Sequence, residues 1–311
     1  MAEDRTTLLD IAIRNNSDIV VGLIDEASKP YPEFRKGDAR TIKGTQYKTR
    51  VRTALPDVGF RQANNGVETT KQTVENRLVE CFITDASWSI DKAVANASEN
   101  GPEAVCAEEA ESHMEGAIDS VCKQFYYGTA SGVTGAAYGH AGLVDSVVSA
   151  MEVNASGSGA DTSSVWAVKW GVKNTRWVFG KDGCFDEGDI IEQLVAASTG
   201  NMWALAQSLQ GWLGVQVGNQ YSIGRIKNVE AAVDASTQLL TDDLLASLLE
   251  RFTTNLHFKP DVFYMTPRLQ KQLQNSRTAT SPTGAPAPFP EEAFGVPIEP
   301  TTSILNTETA A

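Results

Sequence analysis

Apolar positions recur along this chain with two periods, and the switches between them mark the elements. The clearest stretch follows Asn100-Gly101-Pro102. Ala107, Ala110, Met114, Ala117, Ile118, Val121, Cys122 and Phe125 recur there at intervals of three and four, which is one face of a helix. Proline near the first helical position opens it and Gly128 stops it. The spacing predicts a helix over residues 102–127, roughly 39 Å long at ~1.5 Å per residue. Glu103, Glu108, Glu109, Glu111, Glu115 and Asp119 load its early and middle turns, and Lys123 sits near its end, as the helix dipole favours. A second helix is predicted over 242–254, with Thr241 as N-cap, Asp242 and Asp243 in the first turn, and Leu244, Leu245, Leu248, Leu249 and Phe252 as its apolar face. Thr266-Pro267 predicts a third over 267–276. Residues 5–14 (RTTLLDIAIR) read as a short amphipathic helix. Pro30 and Pro32 then break regular structure, so the first ~35 residues read as an arm.

Period two governs residues 45–54. Tyr47, Thr49, Val51 and Thr53 face one way and Gln46, Lys48, Arg50 and Arg52 the other, which predicts a strand with one basic face. Asn64-Asn65-Gly66 is a turn signal. A second alternating run, Val67 to Val74, leads into the more apolar 77–84. Together they predict a long hairpin whose distal part has too few apolar residues to bury itself, so it must lie on something else or move freely. Residues 128–164, rich in Gly, Ala and Ser, read as loops. Strands are predicted at 165–170, 176–179, 202–209, 215–229 with a turn at Gly218-Asn219, 262–265 and 296–304, and 277–290 as a Pro-rich loop. The mixture is α+β.

Composition narrows the function. The chain has 311 residues, 41% hydrophobic and 8% aromatic, enough for a core and against disorder. Its net charge of −13 weighs against a protein whose main work is gripping nucleic-acid phosphates. That charge is uneven: residues 1–80 carry net +1 and residues 81–160 net −9, while residues 35–61 hold eight bases against Asp38 and Asp57. A +6 segment therefore precedes a −9 segment. They are either two solvated faces or complementary surfaces that meet, within one chain or between copies. The start, MAEDRTTLLD, has acids where a signal peptide needs bases, and no apolar run approaches the ~20 residues that span a bilayer. Cys81, Cys106, Cys122 and Cys184 are scattered with no C-x-x-C, and read as buried or free thiols of a reducing compartment.

Catalytic signals are sparse. His113 sits among helix acids, His140 in the Gly-rich stretch and His257 past a helix end, with no H-E-x-x-H and no G-x-S-x-G. Gly132, Gly135, Gly139 and Gly142 lack the Gly-Lys-Ser/Thr of a phosphate loop. No catalytic, metal-binding or cofactor-binding residue is nominated.

The order of segments carries a resemblance. Arg50-Val-Arg-Thr-Ala-Leu-Pro56, Val58-Gly-Phe-Arg61 and Ala63-Asn-Asn-Gly-Val67 are followed by the long helix at 102–127, then Ser164–Trp170, then Arg225-Ile-Lys-Asn-Val229. Phe263-Tyr-Met-Thr-Pro-Arg-Leu-Gln-Lys-Gln-Leu273, Phe294-Gly-Val-Pro-Ile298 and Ser303-Ile-Leu-Asn-Thr-Glu308 complete the series. From about residue 5 to residue 308 the chain resembles the major capsid proteins of tailed bacteriophages with the Hong Kong 97-like coat fold, nearest the short-tailed phage subfamily. Strands 165–229 precede the Thr-Asp-Asp-Leu-Leu helix, which is similar to that subfamily's permuted connectivity.

The resemblance implies an N-terminal arm (1–40), an extended loop or β-hairpin (41–85), a peripheral domain (86–164) with spine helix 102–127, central strands (165–235), and an axial domain with the closing strand (236–311). It implies a coat protein that self-assembles into pentamers and hexamers of an icosahedral shell around phage dsDNA, with no enzyme activity and no cofactor. Its implied partners are other copies of itself, a separate scaffolding protein, a portal, a cement protein, and packaged DNA held weakly and without sequence specificity, with no membrane. Its implied location is the virion capsid, assembled in the host cytoplasm. The expected subunit contact joins Lys48, Arg50, Arg52 or Arg61 to Glu108, Glu111, Glu115 or Asp119 of a neighbour. A bacterial nanocompartment shell protein of the same fold and an α+β enzyme remain as alternatives.

Overall fold

The computed structural model describes residues 30–54, 56–68, 70–99, 101–183, 186–232, 236–279 and 285–310. The expected helix at 5–14, Leu55 of the Leu-Pro bend and Cys184 lie outside these residues. The elements in chain order begin with α1 (Pro32–Lys36), β1 (Ala39–Thr41), β2 (Gln46–Ala54), β3 (Thr73–Glu80), β4 (Phe82–Asp85) and β5 (Trp88–Asp91). Then come α2 (Lys92–Asn96), α3 (Pro102–Tyr127), α4 (Leu143–Ser146), β6 (Glu152–Asn154), β7 (Thr162–Val168), β8 (Thr175–Phe179), β9 (Asp186–Glu187), β10 (Ile191–Ala196) and β11 (Asn201–Gln207). The chain closes with β12 (Leu209–Val217), β13 (Ile223–Glu230), α5 (Asp242–Leu256), β14 (Val262–Met265), α6 (Pro267–Ala279), β15 (Glu292–Ala293) and β16 (Val296–Pro300).

The strands form separate sheets. One runs β1-β8-β12-β4, a second β10-β11-β5, a third β15-β16-β14-β7-β13-β6, and β2 pairs with β3 as a ribbon of its own. Strand β7 divides the interior. All its residues are buried, and the period of two sends Trp166 and Val168 into one core and Val165 and Ala167 into the other. The first core holds the C-terminal half of α3 with β8 and β12; the second holds α5 and α6. In α5, Leu245, Leu248 and Phe252 are fully buried, the face its leucine spacing predicted. Its Thr241 occupies the N-cap position without a side-chain cap bond.

Helix α3 has the bounds its punctuation predicted. Gly101 (φ 84°) enters and Gly128 (φ 55°) leaves, both in conformations that L side chains avoid. Its apolar stripe behaves unevenly. Met114, Ile118, Val121, Cys122 and Phe125 are buried, whereas Ala107 is exposed. At the C-terminal end Gln124, Tyr126 and Tyr127 are buried too, because the last turn is enclosed on every side. Gln124 Nε2 donates to the carbonyls of Ala136 (3.0 Å) and His140 (2.8 Å), so the Gly-rich loop wraps the helix. Tyr127 Oη donates to Glu308 Oε1 (2.5 Å), and Arg225 Nη2 (2.9 Å) and Ser164 Oγ (2.6 Å) donate to Glu308 Oε2. That network ties the closing segment to α3 and β7.

Several expected elements change. The run from Val67 becomes strand only at Thr73, because the opposing strand ends at Ala54 and leaves the described residues 56–68 and 70–72 no ladder to join. Strand β10 was not expected; both its faces are largely exposed, so it lacks the apolar alternation that marks a half-buried strand. Residues 215–229 split between β12 and β13, which belong to different sheets. The closing strand stops at Pro300; residues beyond it return to bridge Thr162 with Glu308. The described end of the expected arm is packed in: Tyr31, Phe34 and Ala39 belong to the first core.

At the exit of α3, a Cβ on Gly128 would lie 2.4 Å from the backbone nitrogen of Gly142. Gly128→Ala combines that clash with a positive φ, and should lower stability by about 2 kcal/mol or more. Thermal unfolding of the unassembled chain checks this; an unchanged Tm would contradict it.

Candidate assembly surface

The ribbon β2–β3 is held at one end only. Its register runs from Gln46 opposite Glu80 to Arg52 opposite Val74. At the base, Val79 and Cys81 share a small core with Ile42 and Val178, and Tyr47 and Trp212 pack against it. The Tyr47 hydroxyl donates to Gln216 Oε1, and the Arg40 guanidinium lies 4.6 Å above the Tyr47 ring. Burial pushes the Tyr47 phenol above its ordinary range, against the pull of Arg40. Below it, Arg176 Nε lies 3.1 Å from Asp38 Oδ2, both side chains mostly buried, and Arg176 Nη2 donates to the Ala39 carbonyl.

Beyond that base the ribbon has little of its own chain to lie on. Lys48 and Arg50 are exposed, as are Leu78 (51%) and Val74 (40%). The tip is nevertheless organised. Asp57 N donates to Thr70 Oγ1 (2.7 Å), and Thr70 Oγ1 donates to the Asp57 carbonyl (3.2 Å). Asn64 takes φ 65°, as the turn signal predicted, and Arg61 Nη1 donates to the Asn65 carbonyl (3.0 Å). Val58 (89%) and Phe60 (107%) project into solvent from this polar knot.

The acidic half of α3 is the second part of the surface. Glu108, Glu111 and Glu115 are exposed. Asp119 is used within the chain: Lys123 Nζ lies 2.6 Å from its Oδ2, and it helps burial raise the Tyr31 phenol. Among the described residues no ion pair joins Lys48, Arg50 or Arg61 to these carboxylates. Arg52 stands in the same strand as Lys48 and Arg50. The single chain therefore leaves the basic and acidic sets apart.

The other titratable groups are structural. His140 is buried, its Nδ1 donates to the Ala141 carbonyl (3.0 Å), and desolvation holds its pKa down at about 4, so it is neutral at physiological pH. His113 lies 3.8 Å from Glu109, one turn earlier on the exposed helix face. His257 is the left-handed residue that ends α5. Cys81, Cys106 and Cys122 are buried free thiols, and burial raises the Cys81 thiol to about 11. Among the described residues no group of three or more His, Cys, Asp or Glu could hold a metal ion, and no helix is long and apolar enough to cross a membrane.

Glu33 gave no sequence signal; in PEFRK it reads as solvated. It is fully buried, with Tyr126 Oη (2.8 Å) and Thr301 Oγ1 (2.6 Å) both donating to Oε1. Desolvation raises its pKa despite those bonds.

The comparisons with known proteins fit this geometry. The profile of the family described as major capsid protein GP7 matches residues 38–311. The chain belongs to the major capsid protein GP7 family. Among solved structures, a chain of bacteriophage Epsilon15 is 21% identical with a TM-score of 0.61, covering 88% of each chain. A chain of the bacteriophage JBD30 capsid is 8% identical with a TM-score of 0.53, covering 89% of this chain and 92% of that one. No curated protein matches in sequence. The α+β fold is thus the Hong Kong 97-like coat fold, and the chain is a tailed-phage major capsid protein. The GP7 match starts at Asp38, so it takes in the ribbon, α3 and all three larger sheets.

Because the folded-state pKa of Glu33 is raised, its stabilising effect is complete below the unfolded value near 4.5 and is lost as pH rises through the folded value. Glu33→Gln, which mimics the protonated carboxyl, should remove that pH dependence and be at least as stable as the parent chain at pH 8. Denaturant unfolding of the unassembled chain across pH 4–8 measures it; a variant clearly less stable at pH 8 would contradict it.

Proposed function

We propose that this capsid protein closes into rings of five and six copies through head-to-tail contacts in which the β2–β3 ribbon of one copy lies across α3 of the next. The observation that carries this reading is the ribbon itself. It is well paired, yet among the described residues beyond Tyr47, Lys48, Arg50, Val58, Phe60, Arg61, Val74 and Leu78 are exposed in their own chain. Heterologous contacts of this kind close when the rotation between copies closes.

Lys48, Arg50, Arg52 and Arg61 would meet Glu108, Glu111 and Glu115 of the neighbour, with Asp119 at the edge of the patch. Exposed pairs contribute ~0.2–1 kcal/mol each, so they set register and encounter rate more than total affinity. In this reading residues 41–85 form the extended loop and 86–164 the peripheral domain around α3. Residues 165–235 form central strands and 236–311 an axial domain, with 1–40 as the arm; the permuted, short-tailed subfamily is the nearest type. The assembled shell encloses dsDNA in a virion built in the host cytoplasm. A separate scaffolding protein, a portal and a cement protein would be its partners. The net −13 suits an inner wall that DNA slides past without sticking.

Charge reversal tests the contact. Arg50→Glu with Arg52→Glu should leave a folded monomer by circular dichroism and cut particle yield at least tenfold by sedimentation and electron microscopy. Adding Glu111→Arg and Glu115→Arg should restore part of it. Normal particles from the double reversal at both low and high salt would overturn the proposal.

A further inference from the structure

Asn65-Gly66 stands exposed at the tip of the ribbon, where local hydrogen bonds bring a main-chain nitrogen against a side-chain amide. Gly66 N donates to Asn65 Oδ1 (3.0 Å), so the nitrogen that follows Asn65 lies beside its side-chain carbonyl group. Asn65 N donates to the Gln62 carbonyl (3.2 Å) and Arg61 Nη1 donates to the Asn65 carbonyl (3.0 Å), which hold the residue from both sides. The bonds between Asp57 and Thr70 close the loop behind it. Gly66 has no side chain to shield its nitrogen, and nothing lies within 4 Å of where its Cβ would be.

The guanidinium matters electronically. The carbonyl it binds belongs to the same peptide unit as the Gly66 N–H. A cation on that oxygen stabilises the anion formed when the N–H loses its proton, because the charge is shared between nitrogen and oxygen. A deprotonated amide nitrogen held beside an amide carbonyl is a nucleophile held beside its electrophile. Other asparagines are used differently. Asn154 and Asn219 accept from the nitrogens two residues on, those of Ser156 and Tyr221. They are followed by Ala155 and Gln220, whose side chains hinder attack by the intervening nitrogen. The sequence has one other Asn-Gly pair, Asn100-Gly101. There the Gly101 N–H donates to the Ser98 carbonyl (3.2 Å).

We propose that Asn65 is a self-modification site, at which the Gly66 nitrogen, assisted by Arg61, attacks Asn65 Cγ and converts the asparagine to aspartate and isoaspartate. The Gly66 amide gives its proton to solvent base and the N–Cγ bond forms. The Cγ–Nδ2 bond breaks, and Nδ2 takes a proton from water and leaves as ammonia. The product is a five-membered succinimide. Water then adds to one of its two carbonyls and the ring opens. Cleavage of N–Cγ gives aspartate; cleavage of the main-chain N–C bond gives isoaspartate, with the backbone rerouted through Cγ. Water is the only co-reactant. Residues 56–68 carry Asp57 and Glu68 against Arg61, so the reaction takes them from net −1 to −2 and sets the new carboxylate beside the guanidinium. The tip then carries a charge that depends on the age of the chain.

Peptide mapping by mass spectrometry of the unassembled full chain, incubated at pH 8, tests this. Conversion is read as a gain of one mass unit, and isoaspartate is distinguished from aspartate by electron-transfer fragmentation. In the folded chain Asn65 should convert at least fivefold faster than Asn100 and yield isoaspartate, whereas in denaturing urea the two rates should converge. Arg61→Gln should slow conversion at Asn65 at least threefold and leave Asn100 unchanged. Gly66→Ala, at a position with room for the methyl group, should slow it at least tenfold. Equal rates at the two pairs in the folded chain, absence of isoaspartate at residue 65, or an Arg61→Gln rate equal to the parent's would each overturn the proposal.

Discussion

The indole of Trp177 is stacked against Phe34, with ring centroids 4.7 Å apart and planes within 9°. The ring of Phe125, at the end of α3, lies 4.8 Å from the Trp177 ring, and that of Trp170 6.4 Å from it. The indole Nε1 donates to the Glu33 carbonyl (3.1 Å), so the ring's one polar atom is satisfied while the rest is buried. Through this ring the segment α1, the long helix and the strand β8 are fixed to one another. Gly37 allows the approach: a Cβ there would fall 2.5 Å from the Glu33 carbonyl oxygen and 2.6 Å from the indole. Buried polar groups then orient what the aromatics compress. Glu33 links α1 to Tyr126 and Thr301, and Glu308 links the closing segment to Arg225, Ser164 and Tyr127. A rigid centre of this kind lets peripheral pieces be carried at defined places without contributing to the core.

The ribbon and the β10–β11 sheet are two such pieces. Each has strands paired in register, and each carries large apolar side chains in solvent. A domain that worked alone would have little use for Phe60 or Trp203 in water. Large apolar side chains exposed beside charge are the composition of an interface rim and core seen before closure. The family assignment, a phage capsid protein, fits surfaces of this kind.

Legibility in the sequence followed local physics. Helix α3 was readable to the residue because Gly101-Pro102 and Gly128 punctuate it, and α5 because Leu245, Leu248 and Phe252 repeat at helical spacing toward a single core. Strand β14 was readable because four apolar residues sit between turn signals. What failed lacked a signal in the local side-chain pattern. Residues 67–72 alternate like a strand but face no ladder, and β10 pairs well although its side chains carry no pattern. The burial of Gln124, Tyr126 and Tyr127 comes from the loop at 136–143, which folds back on the helix, and from the closing segment, some 180 residues on. Of the candidate surface, the charges on the ribbon and helix were visible from their spacing. The exposure of Leu194 and Trp203 was not, because it depends on how β10, β11 and β5, from two separate stretches of chain, come together.

The one-sided anchoring of the ribbon at Tyr47 and Gln216 also bears on how this chain becomes fully ordered. The core can be satisfied at infinite dilution, since all its partners are covalently attached. In the proposed contact the ribbon's outer half is satisfied only by encounter, so its share of the total free energy would depend on protomer concentration and follow mass action. Heating or diluting particles should therefore have two consequences of different molecularity: loss of the outer contacts, governed by concentration, and melting of the core, which is not. The position of Tyr47 divides the chain between those two regimes.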